Sequence, residues 1–311
     1  MSDRVLLPWP DHAALLGGAT DGLDVAVWTD DGPGPDDDVL ADVVFYVPPY
    51  LGGAEPLAAM ARMPRLQVVQ SLWAGVDAVW PHLPEGVSLH NAAGVHDAST
   101  AELAIGLMLA RLRGLDEFAR NQERGAWLPS RNGAVADKRV AIVGYGRIGQ
   151  AIERRLDGFE AEVVRVARTP RTLDDGREVL GLDALPDLLP TVDVVVLIVP
   201  LSEQTRGLVD AAFLARMKRG SLLVNVARGP VVVTDDLVAA LHDRQVVAAL
   251  DVTDPEPLPA DHPLWSAPGV LISPHVGGNS SAFEPRAQRL VAAQLRRWRA
   301  GEPLDNLATR P

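Results

Sequence analysis

Residues 138–149 read KRVAIVGYGRIG. An apolar run, Val140 to Val143, stops at Gly144. The six residues Gly144-Tyr145-Gly146-Arg147-Ile148-Gly149 then lead into a helical pattern, Gln150-Ala151-Ile152-Glu153. That order predicts a strand, a tight turn and a helix. Gly144 permits the turn, Gly146 lets a pyrophosphate approach the backbone, and Gly149 lets helix and strand pack closely. The helix N-terminus offers N–H groups and a partial positive charge to a phosphate. The glycine spacing by itself also fits a glycine-rich turn in another α/β fold. The strand before it and the helix behind it favour a dinucleotide site.

Strand-like runs alternate with helical patterns along the whole chain, which implies parallel sheets with crossover helices. In the first third the expected strands are Val5–Leu7, Val25–Trp28, Val43–Val47, Gln67–Ser71 and Val87–Leu89. A long helix is expected from Ser99 to Leu112, with Ser99 or Thr100 as its cap. Val140–Val143 leads into the glycine turn, and Val163–Val166, Val194–Val199, Leu222–Val226, Val246–Leu250 and Val270–Ile272 follow it, with a final helix over 281–299. If that helix returns to the first domain, the nucleotide domain is inserted in a discontinuous one. The fold class expected is α/β, with two Rossmann-like domains of doubly wound parallel sheets. Residues 1–98 with 281–311 would form the substrate domain and 99–280 the dinucleotide domain.

Bulk properties exclude several function classes. At 311 residues the chain is long enough for two domains. Its net charge of −12, from 41 acidic and 29 basic side chains, argues against nucleic acid as a main partner. It has no cysteine, which removes disulfides, thiolate catalysis and Cys-ligated zinc and fits a reducing cytoplasm. The start, MSDRVLLPWPDH, lacks a signal-peptide apolar core, and the longest apolar run, Val194 to Leu201, is too short to span a bilayer. No membrane partner is expected. The histidines show no ligand spacing, so no metal is expected either.

Three polar residues follow expected strands in the second half: Arg228 in VNVARGP, Glu256 in LDVTDPEPLP and His275 in LISPHVGG. Ligands of an open parallel sheet bind outside the carboxyl ends of its strands, so all three could converge there. At these motifs the chain resembles the D-isomer-specific 2-hydroxyacid dehydrogenases, in the manner of glyoxylate and hydroxypyruvate reductases. The matching segments are VGYGRIGQ (143–150), PLSEQTRGLVD (200–210), VNVARGPVV (224–232), LDVTDPEPLPADHPLW (250–265) and SPHVGG (273–278). QSLWAGVD (70–77) resembles the family's substrate loop and STAELAIGLMLA (99–110) its interdomain helix.

The resemblance implies roles. Arg228 would bind the 2-oxo acid with its fork of donors. His275 would be the acid/base, and Glu256 would orient its ring and favour imidazolium. The substrate would meet Trp73, Ala74 and Gly75 besides Arg228 and His275, its carboxylate resting on backbone N–H groups of that turn. The cofactor would meet Gly144, Gly146, Arg147, Ile148 and Gly149, then Pro200, Thr205, Val226, Ala227, Arg228, Asp251, His275 and Gly277. A homodimer through the nucleotide domain is implied, and the apolar helix Ala101–Leu112 is consistent with that as well as with packing inside one chain.

The second strand of the dinucleotide unit decides which cofactor is expected. A preference for NAD usually rests on an acid at its end, which binds the ribose 2′-OH. Here Arg168, Thr169 and Arg171 stand there instead, a pattern that favours the 2′-phosphate of NADP over NAD. The activity expected is hydride transfer between NADPH and a small 2-oxo acid to give a D-2-hydroxy acid. Formate dehydrogenases carry Gln where Glu256 stands, and phosphite dehydrogenases carry Lys where Ala74 stands. A larger hydrophobic 2-oxo acid is equally compatible with Trp73, Tyr50 and Leu51. The alternative is a nucleotide-sensing binding protein, because the family includes corepressors that keep the fold with little turnover.

Overall fold

The computed structural model describes residues 3–310; Met1, Ser2 and Pro311, at the ends of the expected substrate domain, lie outside them. The chain divides into two compact units. One takes the chain up to His96 and again from Ser281; the other is Asp97–Ser280.

The first unit is built on a five-stranded parallel sheet. Its strands are β1 (Arg4–Leu7), β2 (Asp24–Val27), β3 (Val43–Tyr46), β4 (Val68–Gln70) and β5 (Ser88–His90), in the order β2-β1-β3-β4-β5. Alternate side chains face opposite ways along a strand. Val5, Leu7, Phe45 and Val68 therefore pack on one face against Phe283, Ala287, Val291 and Leu295 of the helix Phe283–Ala300. Leu6, Tyr46, Val69 and Leu89 pack on the other against Trp28, Met60 and Met63. The segment after that helix also docks on this sheet: Asn91 N–H donates to Asn306 O (3.0 Å) and Ala308 N–H to Leu89 O (2.8 Å).

The second unit holds eight strands: β6 (Arg139–Val143), β7 (Glu162–Val166), β8 (Arg171–Thr172), β9 (Glu178–Leu180), β10 (Val194–Leu197), β11 (Ser221–Asn225), β12 (Val246–Leu250) and β13 (Val270–Ile272). Their order is β13-β12-β11-β10-β6-β7-β9-β8, and only the β8–β9 pair is antiparallel. The central strand β10 reads VVVL and is buried on both faces, as a strand covered by helices on either side must be. Strand order reverses between β6 and β10, and that switch point is where open α/β sheets bind ligands. The glycine turn sits there, at the carboxyl end of β6.

Two local features differ from expectation. The long helix runs Asp97–Arg113, so Ser99 and Thr100 lie inside it rather than capping it. Their hydroxyls serve another purpose: Ser99 Oγ bonds Ser280 Oγ at 2.5 Å and Thr100 Oγ1 donates to Gly277 O at 3.2 Å. The hairpin β8–β9 was not expected, because its strands are two and three residues long and show no apolar alternation. The long helix packs much of its apolar surface within its own unit, one of the two uses expected for it. Ala104, Ile105, Leu107 and Met108 are buried with Val140, Ile142, Ile152 and Val224.

Candidate active site

The glycine turn has the shape that its sequence demands. Gly144 sits at φ +112°, and a Cβ there would lie 2.3 Å from Ile198 O. A Cβ on Gly149 would lie 2.4 Å from Gly144 O, so only glycine lets the helix Arg147–Leu156 start this close to β6. Gly146, by contrast, faces open space, with no atom within 4 Å of where its Cβ would be. The first N–H groups of a helix have no partner inside it. Open space beside Gly146 and those donors together fit a dinucleotide pyrophosphate.

Tyr145 turns its side chain inward. Its hydroxyl donates to Glu153, which is only 4% exposed and is also ion-paired to Arg165 and, at 2.7 Å, to Arg177. Burial alone would push the Glu153 carboxyl up. The hydrogen bonds from Arg165 and Tyr145 and the charges of Arg165 and Arg177 outweigh burial and hold it below its ordinary value. Sequence reasoning missed this cluster. Its signal is the helical stripe Gly149, Ile152, Glu153, Leu156, which puts a carboxylate on a buried face.

At the end of β7 no acid is present. Arg168 and Thr169 are exposed there, and Arg171 donates to Tyr145 O at 2.7 Å, bracing the glycine turn. At the end of β10, Thr205 is buried and its hydroxyl donates to Pro200 O (2.6 Å), closing the loop that carries both residues.

Arg228, Glu256 and His275 follow β11, β12 and β13, all on the carboxyl side of the sheet. His275 adopts φ +52°, the left-handed region, and is held there by its neighbours. Its N–H donates to Asp251 O at 2.7 Å. The buried Asp251 carboxylate accepts from Ser273 Oγ (2.6 Å), Val276 N–H (2.9 Å) and Gly277 N–H (2.8 Å). The whole Ser273–Gly277 turn is thus folded around one carboxylate, whose place at the end of β12 is fixed by the sheet. Asp251 and Gly277, expected as cofactor contacts, are occupied in building this turn.

His275 Nδ1 lies 2.5 Å from Glu256 Oε1. The hydrogen bond from His275 lowers the Glu256 carboxyl below its ordinary value; partial burial opposes it, and the charges of His275 and Arg228 add to it. Arg228 is half-buried, with Nη1 donating to Ala227 O at 2.7 Å. A ring that gives Nδ1–H to a carboxylate presents Nε2 as its working atom. The second unit therefore assembles an oriented imidazole, an ionised carboxylate and a guanidinium beside a dinucleotide-shaped turn. That set can bind an anionic carbonyl compound and move one proton.

The expected substrate turn lies in the first unit. Ser71 Oγ accepts from Trp73 N–H (3.0 Å), and Trp73 O accepts from Ala92 N–H (2.9 Å). The N–H groups of Ala74 and Gly75 have no acceptor among the described residues. Trp73 is half-buried and stacks on Tyr50 at 5.8 Å. Among the described residues, no helix is long and apolar enough to cross a membrane, and no group of His, Cys, Asp or Glu could hold a metal ion.

The pattern of the D-isomer specific 2-hydroxyacid dehydrogenase NAD binding domain matches residues 105–277. A glyoxylate reductase/hydroxypyruvate reductase from Mus musculus is 32% identical over 320 residues, covering 96% of this chain and 94% of that one. Among solved structures, a D-isomer specific 2-hydroxyacid dehydrogenase from Xanthobacter autotrophicus Py2, in complex with NADPH and MES, is similar at 32% identity. Its TM-score is 0.80, over 99% of this chain and 98% of that one. An NADPH-dependent glyoxylate/hydroxypyruvate reductase from Sinorhizobium meliloti, in complex with citrate, is similar at 29% identity. Its TM-score is 0.82, over 98% and 97% of the two chains.

Proposed function

The chain belongs to the D-isomer specific 2-hydroxyacid dehydrogenase family, and from that premise we propose that it is an NADPH-preferring reductase of small 2-oxo acids such as glyoxylate and hydroxypyruvate. The observation that carries this reading is the 2.5 Å contact between His275 Nδ1 and Glu256 Oε1 at the carboxyl ends of β13 and β12. A bound nicotinamide supplies hydride to the carbonyl carbon, or takes it back in the reverse direction. The chain's own residues do the rest. Arg228 holds the carbonyl oxygen and part of the carboxylate through its planar fork. His275 carries a proton at Nε2, gives it to the carbonyl oxygen, and is left neutral. Glu256 stays ionised beside the ring and keeps its orientation before and after transfer. Within the first unit, the N–H groups of Ala74 and Gly75 have no acceptor among the described residues and can receive a carboxylate.

Arg168 and Thr169 support the NADPH preference. They stand exposed at the end of β7, where an NAD site would carry an acid. The test is a set of initial rates with glyoxylate, hydroxypyruvate, pyruvate and phenylpyruvate, each with NADPH and NADH. Turnover with a small 2-oxo acid and NADPH is expected. Tight NADPH binding without turnover of any of them would favour a sensing role instead. In the same assay Arg168→Asp should move the NADPH/NADH ratio of kcat/KM about 10–100-fold towards NADH, the loss of one charge-assisted contact. An unchanged ratio would show that Arg168 does not read the 2′-phosphate.

We also propose a homodimer through the second unit. Among the exposed large apolar side chains of this unit are Leu115 and Phe118 on the helix Leu115–Glu123, then Trp127 and Leu128. Trp127 is 93% exposed, an unusual state for tryptophan. Beside this surface the buried Arg111–Asp116 ion pair leaves Arg111 Nε and Asp116 Oδ1 without partners among the described residues. Wild-type protein should sediment as a dimer and Trp127→Glu as a monomer. A dimeric Trp127→Glu would place the interface elsewhere.

A further inference from the structure

His96 is not among the side chains that the proposed reaction uses, yet it is buried at 5% exposure in the unit that carries the substrate turn. Its Nε2 lies 2.8 Å from Leu72 O. A carbonyl oxygen only accepts, so Nε2 carries the proton and donates. The ring packs against an aromatic pair: it stacks on Tyr50 (5.7 Å, 22° between planes) and on Phe283 (5.3 Å, 11°). Tyr50 itself stacks on Trp73 and packs on Phe283 at 4.1 Å. Leu72 immediately precedes Trp73-Ala74-Gly75 and is 1% exposed. A buried carbonyl without a donor is costly, so the Leu72 peptide stays where His96 can reach it.

Each peptide group leading into the turn is thus anchored from within the first unit. Leu72 O is held by His96, Trp73 N–H by Ser71 Oγ, and Trp73 O by Ala92 N–H. The next two N–H groups, of Ala74 and Gly75, are the ones left to receive an anion. We propose that His96 is a positioning residue for substrate binding: packed against Tyr50 and Phe283, it holds Leu72 O and so sets the direction of the Ala74 and Gly75 N–H groups. This rests on the carboxylate-binding reading of that turn. His96 acts on how well the 2-oxo acid binds and leaves proton transfer to His275.

Three substitutions separate the hydrogen bond from the packing. His96→Phe keeps a flat ring against Tyr50 and Phe283 but removes the donor. His96→Asn has a donor too short to reach Leu72 O. His96→Gln places an amide N–H close to where Nε2 stands. The expected result is a KM for glyoxylate raised about tenfold in the Phe and Asn variants, the worth of one hydrogen bond. Their kcat should stay within about threefold, a pattern of lost ground-state binding. NADPH affinity, which belongs to the other unit, should be unchanged, and His96→Gln should recover most of the wild-type KM. If His96→Phe does not fold, the Asn and Gln pair carries the comparison. An unchanged KM in the Phe and Asn variants, or a rise in the Gln variant equal to that in Asn, overturns the inference. Oxalate binding to the NADPH-loaded enzyme reads the same site without turnover. If wild-type protein neither turns over a 2-oxo acid nor binds oxalate, the carboxylate reading and this inference both fall. If it does both while the variants match it, only the role of His96 falls.

Discussion

His275→Gln should lower kcat for 2-oxo acid reduction by about 10²–10⁴-fold, the usual worth of a positioned general acid, while NADPH affinity changes little. Glutamine fills similar space in the turn built around Asp251. It cannot carry a transferable proton at the position of Nε2. Arg228 and the glycine turn are untouched, so binding should survive when turnover does not. Stopped-flow turnover beside NADPH fluorescence titration measures the two separately. A kcat within threefold of wild type would remove His275 from proton transfer. Loss of NADPH binding would instead show that the turn had collapsed.

Glu153→Ala should cost about 3–5 kcal/mol of stability, because it strands charge in a buried place. Arg165 is 14% exposed at its side chain and would lose its partner, Tyr145 would lose the acceptor of its hydroxyl, and Arg177 would lose one of two carboxylates. Urea unfolding followed by circular dichroism measures the loss, and a change under 1 kcal/mol would show that the arginines find other partners. The pH dependence has a definite sign. The folded-state carboxyl lies below its unfolded value, so its contribution is fully present above about pH 4.3 and is lost as pH falls through the lowered folded value. The stability gap between wild type and Glu153→Gln should therefore be widest near neutral pH and should close in acid.

Much of this molecule is legible in its sequence because its strands carry their own signals. The expected strands lie within one to two residues of β1 to β7 and β10 to β13 wherever an apolar run is bounded by a breaker, as Val140–Val143 is by Gly144. The hairpin β8–β9 escaped because a two-residue strand has no periodicity to read. Its one signal is the Asp175-Gly176 turn between the two strands. Ser99 and Thr100 misled because hydroxyls that favour helix caps also serve as side-chain bonds to distant backbone, here to Ser280 and Gly277. The His275–Glu256 pair was expected from its motifs, and its 2.5 Å geometry is a property of two loops that only the folded sheet brings together. The Glu153 cluster and the seat of His96 depend on contacts across 12 to 24 positions or more, which periodicity does not encode.

The helix Phe283–Ala300 covers one face of a sheet whose strands lie between Arg4 and His90. During synthesis the ribosome delivers those strands first and their cover last, with the whole second unit made in between. Phe45 and Val5 must wait for Val291 and Leu295 before their side of the core can close. The second unit has no such debt, since every strand of its sheet lies within Asp97–Ser280 and it can condense while the chain is still tethered. Newly made chains therefore pass through an interval in which a finished nucleotide unit hangs from an N-terminal sheet with one bare apolar face. That interval, more than the finished enzyme, is when this protein is most exposed to aggregation and most in need of a chaperone.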